Sequence, residues 1–166
     1  MISVNNRTFH LQGKTYCYVF YVSPEGYLLN FHYGKHLPPA DYAAEAGLLL
    51  EPYPQLRGEP MRQNLSTWPQ EYPTYGHLDM REPALEVENG FGNRITELRF
   101  REYRILKGEA AAPEGLPGVF AGSSPCDTLQ ITLEDSALRL EVVLNYIVFD
   151  DSDILVRNAV IRNRSQ

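Results

Sequence analysis

Apolar and polar residues alternate with period two along most of the chain. The pattern is clearest where Leu138, Leu140, Val142, Leu144, Tyr146 and Val148 interleave with Arg139, Glu141, Val143, Asn145 and Ile147. Successive side chains of an extended backbone point to opposite faces, so this run predicts a long strand with one buried face. Leu129, Ile131 and Leu133 repeat the pattern upstream, and Glu134-Asp135-Ser136-Ala137 supplies turn chemistry between the two runs, which predicts a hairpin. Asp150-Asp151-Ser152-Asp153 interrupts the alternation before Ile154 to Ile161, a third strand of an antiparallel meander.

Nearer the amino terminus, Tyr16, Tyr18, Phe20 and Val22 alternate with Cys17, Val19 and Tyr21, and Ser23-Pro24-Glu25-Gly26 leads into Tyr27 to Tyr33, a second hairpin rich in aromatics. From Thr96 to Leu106 the apolar positions switch from even (Leu98, Phe100) to odd (Tyr103, Ile105). The buried face would flip there unless one residue is looped out, so a bulge is expected at Arg101-Glu102. A single helical stretch, Pro39 to Gly47, is predicted to make one turn capped by Asp41 and ended by Gly47. Leu48 to Pro73 holds five of the chain's twelve prolines and little periodicity. Loops of that length in compact domains usually carry function or are disordered. At least six strands with almost no helix predict an all-β fold, an antiparallel β-sandwich over residues 1–166.

Fifteen Lys and Arg against twenty-one Asp and Glu give a formal net charge of −6. That sign repels a phosphate backbone, because nucleic-acid affinity comes largely from counterion release by clustered cations. It also disfavours an anionic membrane surface, and no segment approaches the ~20 apolar residues of a spanning helix. Met1 to Arg7 lacks a charged region followed by an apolar one, so no secretory signal is expected and the cytoplasm is the expected location. Cys17 and Cys126 have no partners at zinc-ligand spacing and read as two buried thiols. His32 and His36 are four apart, but Gly34 and Pro38-Pro39 break the helix that spacing would need, so no metal is expected. Phosphate-binding and dinucleotide glycine patterns are missing, and no cofactor is expected.

The densest polar and aromatic segment is Gln70-Glu71-Tyr72-Pro73-Thr74-Tyr75-Gly76-His77-Leu78-Asp79-Met80-Arg81-Glu82-Pro83-Ala84. One reading is a pocket wall, since tyrosine faces and paired Asp and Arg groups suit a polyhydroxylated ligand. The other is a turn shaped by Pro73, Gly76 and Pro83, with Asp79 and Arg81 paired locally. Trp68, the single tryptophan, is a stacking platform, a subunit anchor or core filler. The eleven tyrosines fit a sugar-binding face or ordinary strand packing. Two carboxylates about 5 to 9 Å apart can hydrolyse glycosides, but nothing singles out one pair, so no catalytic residue is assigned.

The run Gln70-Glu71-Tyr72-Pro73-x-Tyr75-Gly76-x-x-Asp79-x-Arg81-x-Pro83-Ala84 resembles the hallmark of the N-terminal region of glycoside hydrolase family 36 α-galactosidases. Tyr33-Gly34-Lys35 resembles that family's aromatic-Trp-Gly-Lys segment, with Tyr33 in place of the Trp. Tyr103-Arg104-Ile105-Leu106-Lys107-Gly108 followed by Gly115-Leu116-Pro117 resembles a later family stretch, as do Thr128 to Asp135 and Asp153 to Asn158. Order and spacing match across essentially the whole chain.

The resemblance implies a galactose-mutarotase-like antiparallel supersandwich, of which residues 1–166 are a single domain or a fragment. It would precede a catalytic (β/α)₈ barrel in an enzyme that releases terminal α-linked galactose with retained configuration. The family's catalytic aspartates sit in Lys-x-Asp segments, whereas Lys14, Lys35 and Lys107 are followed two residues later by Tyr16, Leu37 and Glu109. The chain is therefore expected to be a scaffold, oligomer contact and pocket rim without turnover of its own. The barrel, a second copy and an α-galactoside are its expected partners. The family sends a loop carrying an Arg and an acid toward the sugar. Arg62 matches the Arg, and Glu51 is the carboxylate nearest the acid's position, so these two are the implied substrate-binding residues. A stand-alone sugar-binding module and a pure assembly domain are the alternatives.

Overall fold

A computed structural model describes residues 1–49, 65, 68–76, 81–108, 115, 117–118 and 122–165. Among these, β1 (Ile2–Asn5), β2 (Thr8–Gln12), β3 (Tyr16–Val22) and β4 (Leu28–Lys35) form one four-stranded sheet in that order. After α1 (Ala43–Leu49), the strands β5 (Arg99–Lys107), β6 (Cys126–Asp135), β7 (Leu140–Phe149) and β8 (Leu155–Asn163) form a second. All pairings are antiparallel between chain neighbours. The sheets face each other across Phe9, Leu11, Tyr18 and Phe20 on one side and Leu129, Ile131, Leu144 and Tyr146 on the other. Rings interlock there, with Phe20 5.1 Å from Tyr146 and 5.3 Å from Phe9. This is the expected antiparallel sandwich.

The two hairpins and the meander lie where the alternation places them. At the turn between β6 and β7, Asp135 Oδ1 accepts the N–H groups of Ala137 and Leu138, each at 2.9 Å. The bulge falls at Arg101, because Phe100 pairs with Leu133 while Glu102 pairs with Thr132. The extra residue sends its guanidinium to Glu134 at 3.3 Å.

Four features depart from the sequence reading. β1 and β2 are strands of four and five residues, too short for alternation to stand out. A second bulge at Phe31, where Val19 pairs with His32 and Phe20 with Asn30, is hidden because β4 mixes apolar and polar residues on both faces. Phe31 stacks on Tyr42 with ring centroids 5.1 Å apart. α1 continues through Gly47 to Leu49, so Gly47 does not end it. A helical glycine costs about 1 kcal/mol, and packing of Ala43 and Ala46 against the first sheet offsets it. β7 is buried on both faces, not one. It is a central strand whose outward side chains are covered by β6 and β8, as where Asn145 joins Gln130 at 2.8 Å and Asn158 at 2.7 Å.

The outer face of the first sheet carries a second core of Tyr21, Tyr27, Leu29, Ala46 and Trp68. Cys17 is buried but Cys126 is only half-buried, so the expectation of two buried thiols holds for one of them. Among the described residues no helix is long and apolar enough to cross a membrane.

Candidate functional site

Arg62 and Glu51 both lie outside the described residues. The structure does describe the elements on either side of them, which converge. Before the excursion, Asp41 accepts Thr8 Oγ1–H at 2.9 Å, Asn6 Nδ2–H at 2.9 Å and the Ala43 N–H at 3.1 Å, tying the start of α1 to the first sheet. These hydrogen bonds hold its carboxyl below the usual carboxylate range, that from Asn6 contributing most. After it, Trp68 is 6% exposed and meets the Tyr27 ring edge-on at 6.4 Å. Ala46 and Trp68 thus share one apolar cluster. Of the open readings of Trp68, packing is the one realised.

The segment that follows is sewn to β4. Asn30 donates its N–H to Pro69 O at 2.7 Å and Glu71 donates its N–H to Leu28 O at 2.9 Å. Glu71 then turns its carboxylate between the sheets. It accepts Tyr18 Oη–H at 2.5 Å, Tyr146 Oη–H at 2.9 Å and Asn30 Nδ2–H at 3.3 Å, and pairs with Arg157 at 2.6 Å. The glutamate side chain is 2% exposed. Arg157 also lies over the Tyr146 ring at 5.3 Å and the Tyr18 ring at 5.8 Å. Burial, with Glu71's negative charge behind it, pushes both phenols far above their ordinary range.

The described parts of this segment, Gln70 to Gly76 and Arg81 to Ala84, therefore work mainly as a seam. Ala84 donates its N–H to Pro73 O at 2.8 Å, Thr74 Oγ1–H reaches Thr96 O at 2.6 Å, and Thr96 N–H reaches Tyr75 O at 3.1 Å. Gly76 has φ +111, and a side chain there would meet the Ile95 backbone at 2.9 Å. Arg81 donates to Trp68 O at 2.7 Å, while Asp79, its expected partner, lies outside the described residues. His32 and His36 hydrogen-bond to Lys35 O and Lys14 O. Among the described residues no group of three metal-ligating side chains converges.

Sequence reasoning missed Tyr18, Asn30, Tyr146 and Arg157 as partners of Glu71. One signal was available: Arg157 shares strand parity with Leu155 and Ala159 and so faces inward, where a cation needs an acid. Beside this cluster an open depression of about 500 Å³ is lined by Tyr18, Tyr33, Asp153, Ile154, Leu155 and Arg157. The Tyr33 ring there is 65% exposed.

Fold and site together define a β-sandwich scaffold that fixes both ends of a long excursion against one sheet and bolts its trailing end between two. The chain belongs to the glycosyl hydrolase family 36 N-terminal domain family, whose model matches residues 26–166. It is 34% identical over 163 residues to the bifunctional alpha-galactosidase/sucrose kinase AgaSK of Mediterraneibacter gnavus, covering 96% of this chain and 17% of that protein. With alpha-galactosidase AgaA of Geobacillus stearothermophilus it shares 31% identity, over 95% of this chain and 22% of the relative. Among solved structures, the galactosidase domain of AgaSK superposes with a TM-score of 0.83 at 33% identity, over 99% of this chain and 23% of the other. The GH36 alpha-galactosidase AgaB of Geobacillus stearothermophilus gives 0.80 at 30% identity, over 99% and 22%. The chain thus spans about a fifth of the length of the relatives it matches.

Proposed function

We propose that residues 1–166 act as one N-terminal β-sandwich unit, whole or part of a larger supersandwich, in an enzyme that hydrolyses terminal α-linked galactose. In this reading the chain is scaffold, oligomer contact and pocket rim in the cytoplasm, and a (β/α)₈ barrel outside it carries the reaction. The anchored excursion carries the proposal: Arg62 and Glu51 lie in the stretch between α1 and Trp68, whose flanking elements meet in one cluster. The relatives' description as alpha-galactosidases supports the substrate class. The test is a chimera in which this chain replaces the matching segment of AgaA. Arg62→Ala should raise KM for a nitrophenyl α-galactoside at least about tenfold with kcat nearly unchanged, the signature of lost uniform binding. An unchanged KM would remove Arg62 from the rim.

A second reading, a stand-alone sugar-binding module, is favoured by the depression beside Glu71. An exposed Tyr33 ring there stands near the Arg157 guanidinium and the Asp153 carboxylate. Under it, millimolar galactose or raffinose raises the chain's melting temperature by linkage, and Tyr33→Ala abolishes the rise. A flat calorimetric titration rejects it.

A further inference from the structure

We propose that the strap from His36 to Tyr42, which leads from β4 into α1, is an acid-released latch whose sensing residue is His10. The proposal goes beyond the reading above and needs no substrate assignment.

The strap crosses the outer face of β2 and β3 and is tied there by side chains. The Leu37 carbonyl accepts from His10 Nε2 at 2.9 Å, and the Leu37 N–H donates to Cys17 Sγ at 3.2 Å. Asp41 accepts from Thr8 and Asn6, and the Tyr42 N–H donates to Thr8 Oγ1 at 3.1 Å. Pro38 and Pro39 have no N–H to give to a ladder. His36, Pro38, Pro39 and Asp41 are exposed. A segment tied by a few side-chain contacts opens at lower cost than the paired strands beneath it.

His10 makes that opening depend on pH. It is 1% exposed, and its neutral ring, with the hydrogen on Nε2, already satisfies the Leu37 carbonyl. A second proton would place a full charge in a buried site. The groups around it give that charge no partner. By register, Cys17 and Tyr21 of β3 and His32 of β4 share its face, and none is a carboxylate. His36 on the strap and the Met1 amine beside β1 oppose a further positive charge. Asp41 is engaged by Thr8, Asn6 and the Ala43 N–H, and Asp150 by the Met1 amine.

Burial above all holds the His10 ring below its ordinary pKa, with the Leu37 carbonyl acting against it and His36 and the Met1 amine acting with it. Opening the strap hydrates the ring, which then takes its proton near the ordinary value of about 6.5. Below that pH the open form binds more protons than the closed one. The closed strap is therefore fully stable above about pH 6.5 and loses stability as pH falls beneath it. Ala46 of α1, which follows the strap, shares a cluster with Trp68, so release loosens the leading anchor of the excursion.

Hydrogen exchange of the full chain, followed residue by residue by NMR from about pH 7.5 to about 5 and corrected for the intrinsic rate, tests this. The Leu37 and Tyr42 amides should lose protection by up to about tenfold per pH unit below about pH 6.5, while the amides of β7 keep theirs. His10→Gln can still donate to Leu37 O but has nothing to titrate, so it should flatten the dependence. Asp41→Asn should lower protection at every pH and leave the slope in place, because hydrogen bonds hold the Asp41 carboxyl below the usual carboxylate range. Where His10→Gln fails to fold, the His10 ring of the unmodified chain is titrated by NMR, and its protonation should coincide with the loss of Leu37 protection. Protection that stays constant over the range, a slope that survives His10→Gln, or a His10 that titrates at its ordinary value while Leu37 stays protected overturns the proposal.

Discussion

β7 carries structure on two faces, and each face includes a nearly inaccessible glutamate. On its inner side Tyr146 meets Glu71, whose side chain is 2% exposed; on its outer side stands Glu141, at 5%. Glu71 is held by buried phenols, an amide and one arginine, and it joins β3, β4, β7 and β8 to the end of the excursion. Glu141 is held by Arg162 at 2.8 Å, Arg164 at 2.6 Å and Arg101 at 3.8 Å, cations about half exposed. The carboxylates are equally hidden, and Arg157 is nearly as exposed as the arginines around Glu141; what sets Glu71 apart is that its two phenol partners are buried as well. Partner burial decides the outcome, because water can replace an exposed partner and cannot reach a buried one.

The sharpest way to break this contrast is Glu71→Ala. It strands two buried hydroxyls beside the half-exposed Arg157, and each buried group left without its partner costs about 1–3 kcal/mol, read as a lowered urea midpoint. Tyr146→Phe deletes one hydrogen bond to the same carboxylate and should cost about 1–3 kcal/mol by the same measurement.

Alkaline pH should weaken the inner face selectively. Burial lifts Tyr16 to about 12 and raises Tyr18 and Tyr146 strongly, while the unfolded phenol titrates near 10. Above that pH the unfolded chain gives up protons that the folded one keeps. Stability is therefore full below pH about 10 and falls as pH climbs beyond it, with tyrosinate absorbance appearing together with unfolding.

The smallest effect belongs to the outer face. Glu141→Gln should cost about 1 kcal/mol or less, and the difference from the unmodified chain should shrink in molar salt. Arg164 and then Arg162 hold the Glu141 carboxyl below its ordinary range. Its contribution is therefore present at neutral pH and lost as acid protonates it. A Glu141 variant as damaging as Glu71→Ala would erase the distinction.

Much of the fold was legible because alternation and turn residues act locally. The hairpins, the meander and even the Arg101 bulge follow from parity alone. What escaped depends on tertiary context: α1 outlasts Gly47 because Ala46 packs against the first sheet, and β7 is covered outside by its neighbours' side chains. The site divides likewise. Gln70 to Ala84 stood out by density, yet its role was hidden, since Glu71 finds Tyr18, Tyr146 and Arg157 at separations of 53, 75 and 86 residues.

The most direct test of a scaffold that leaves bond cleavage to another polypeptide segment is an assay of the purified, folded chain with a nitrophenyl α-galactoside. Nitrophenol release no faster than the buffer blank is the expected result. Release above the blank that tracks the chain's concentration would contradict it, and would place the cleaving groups within residues 1–166.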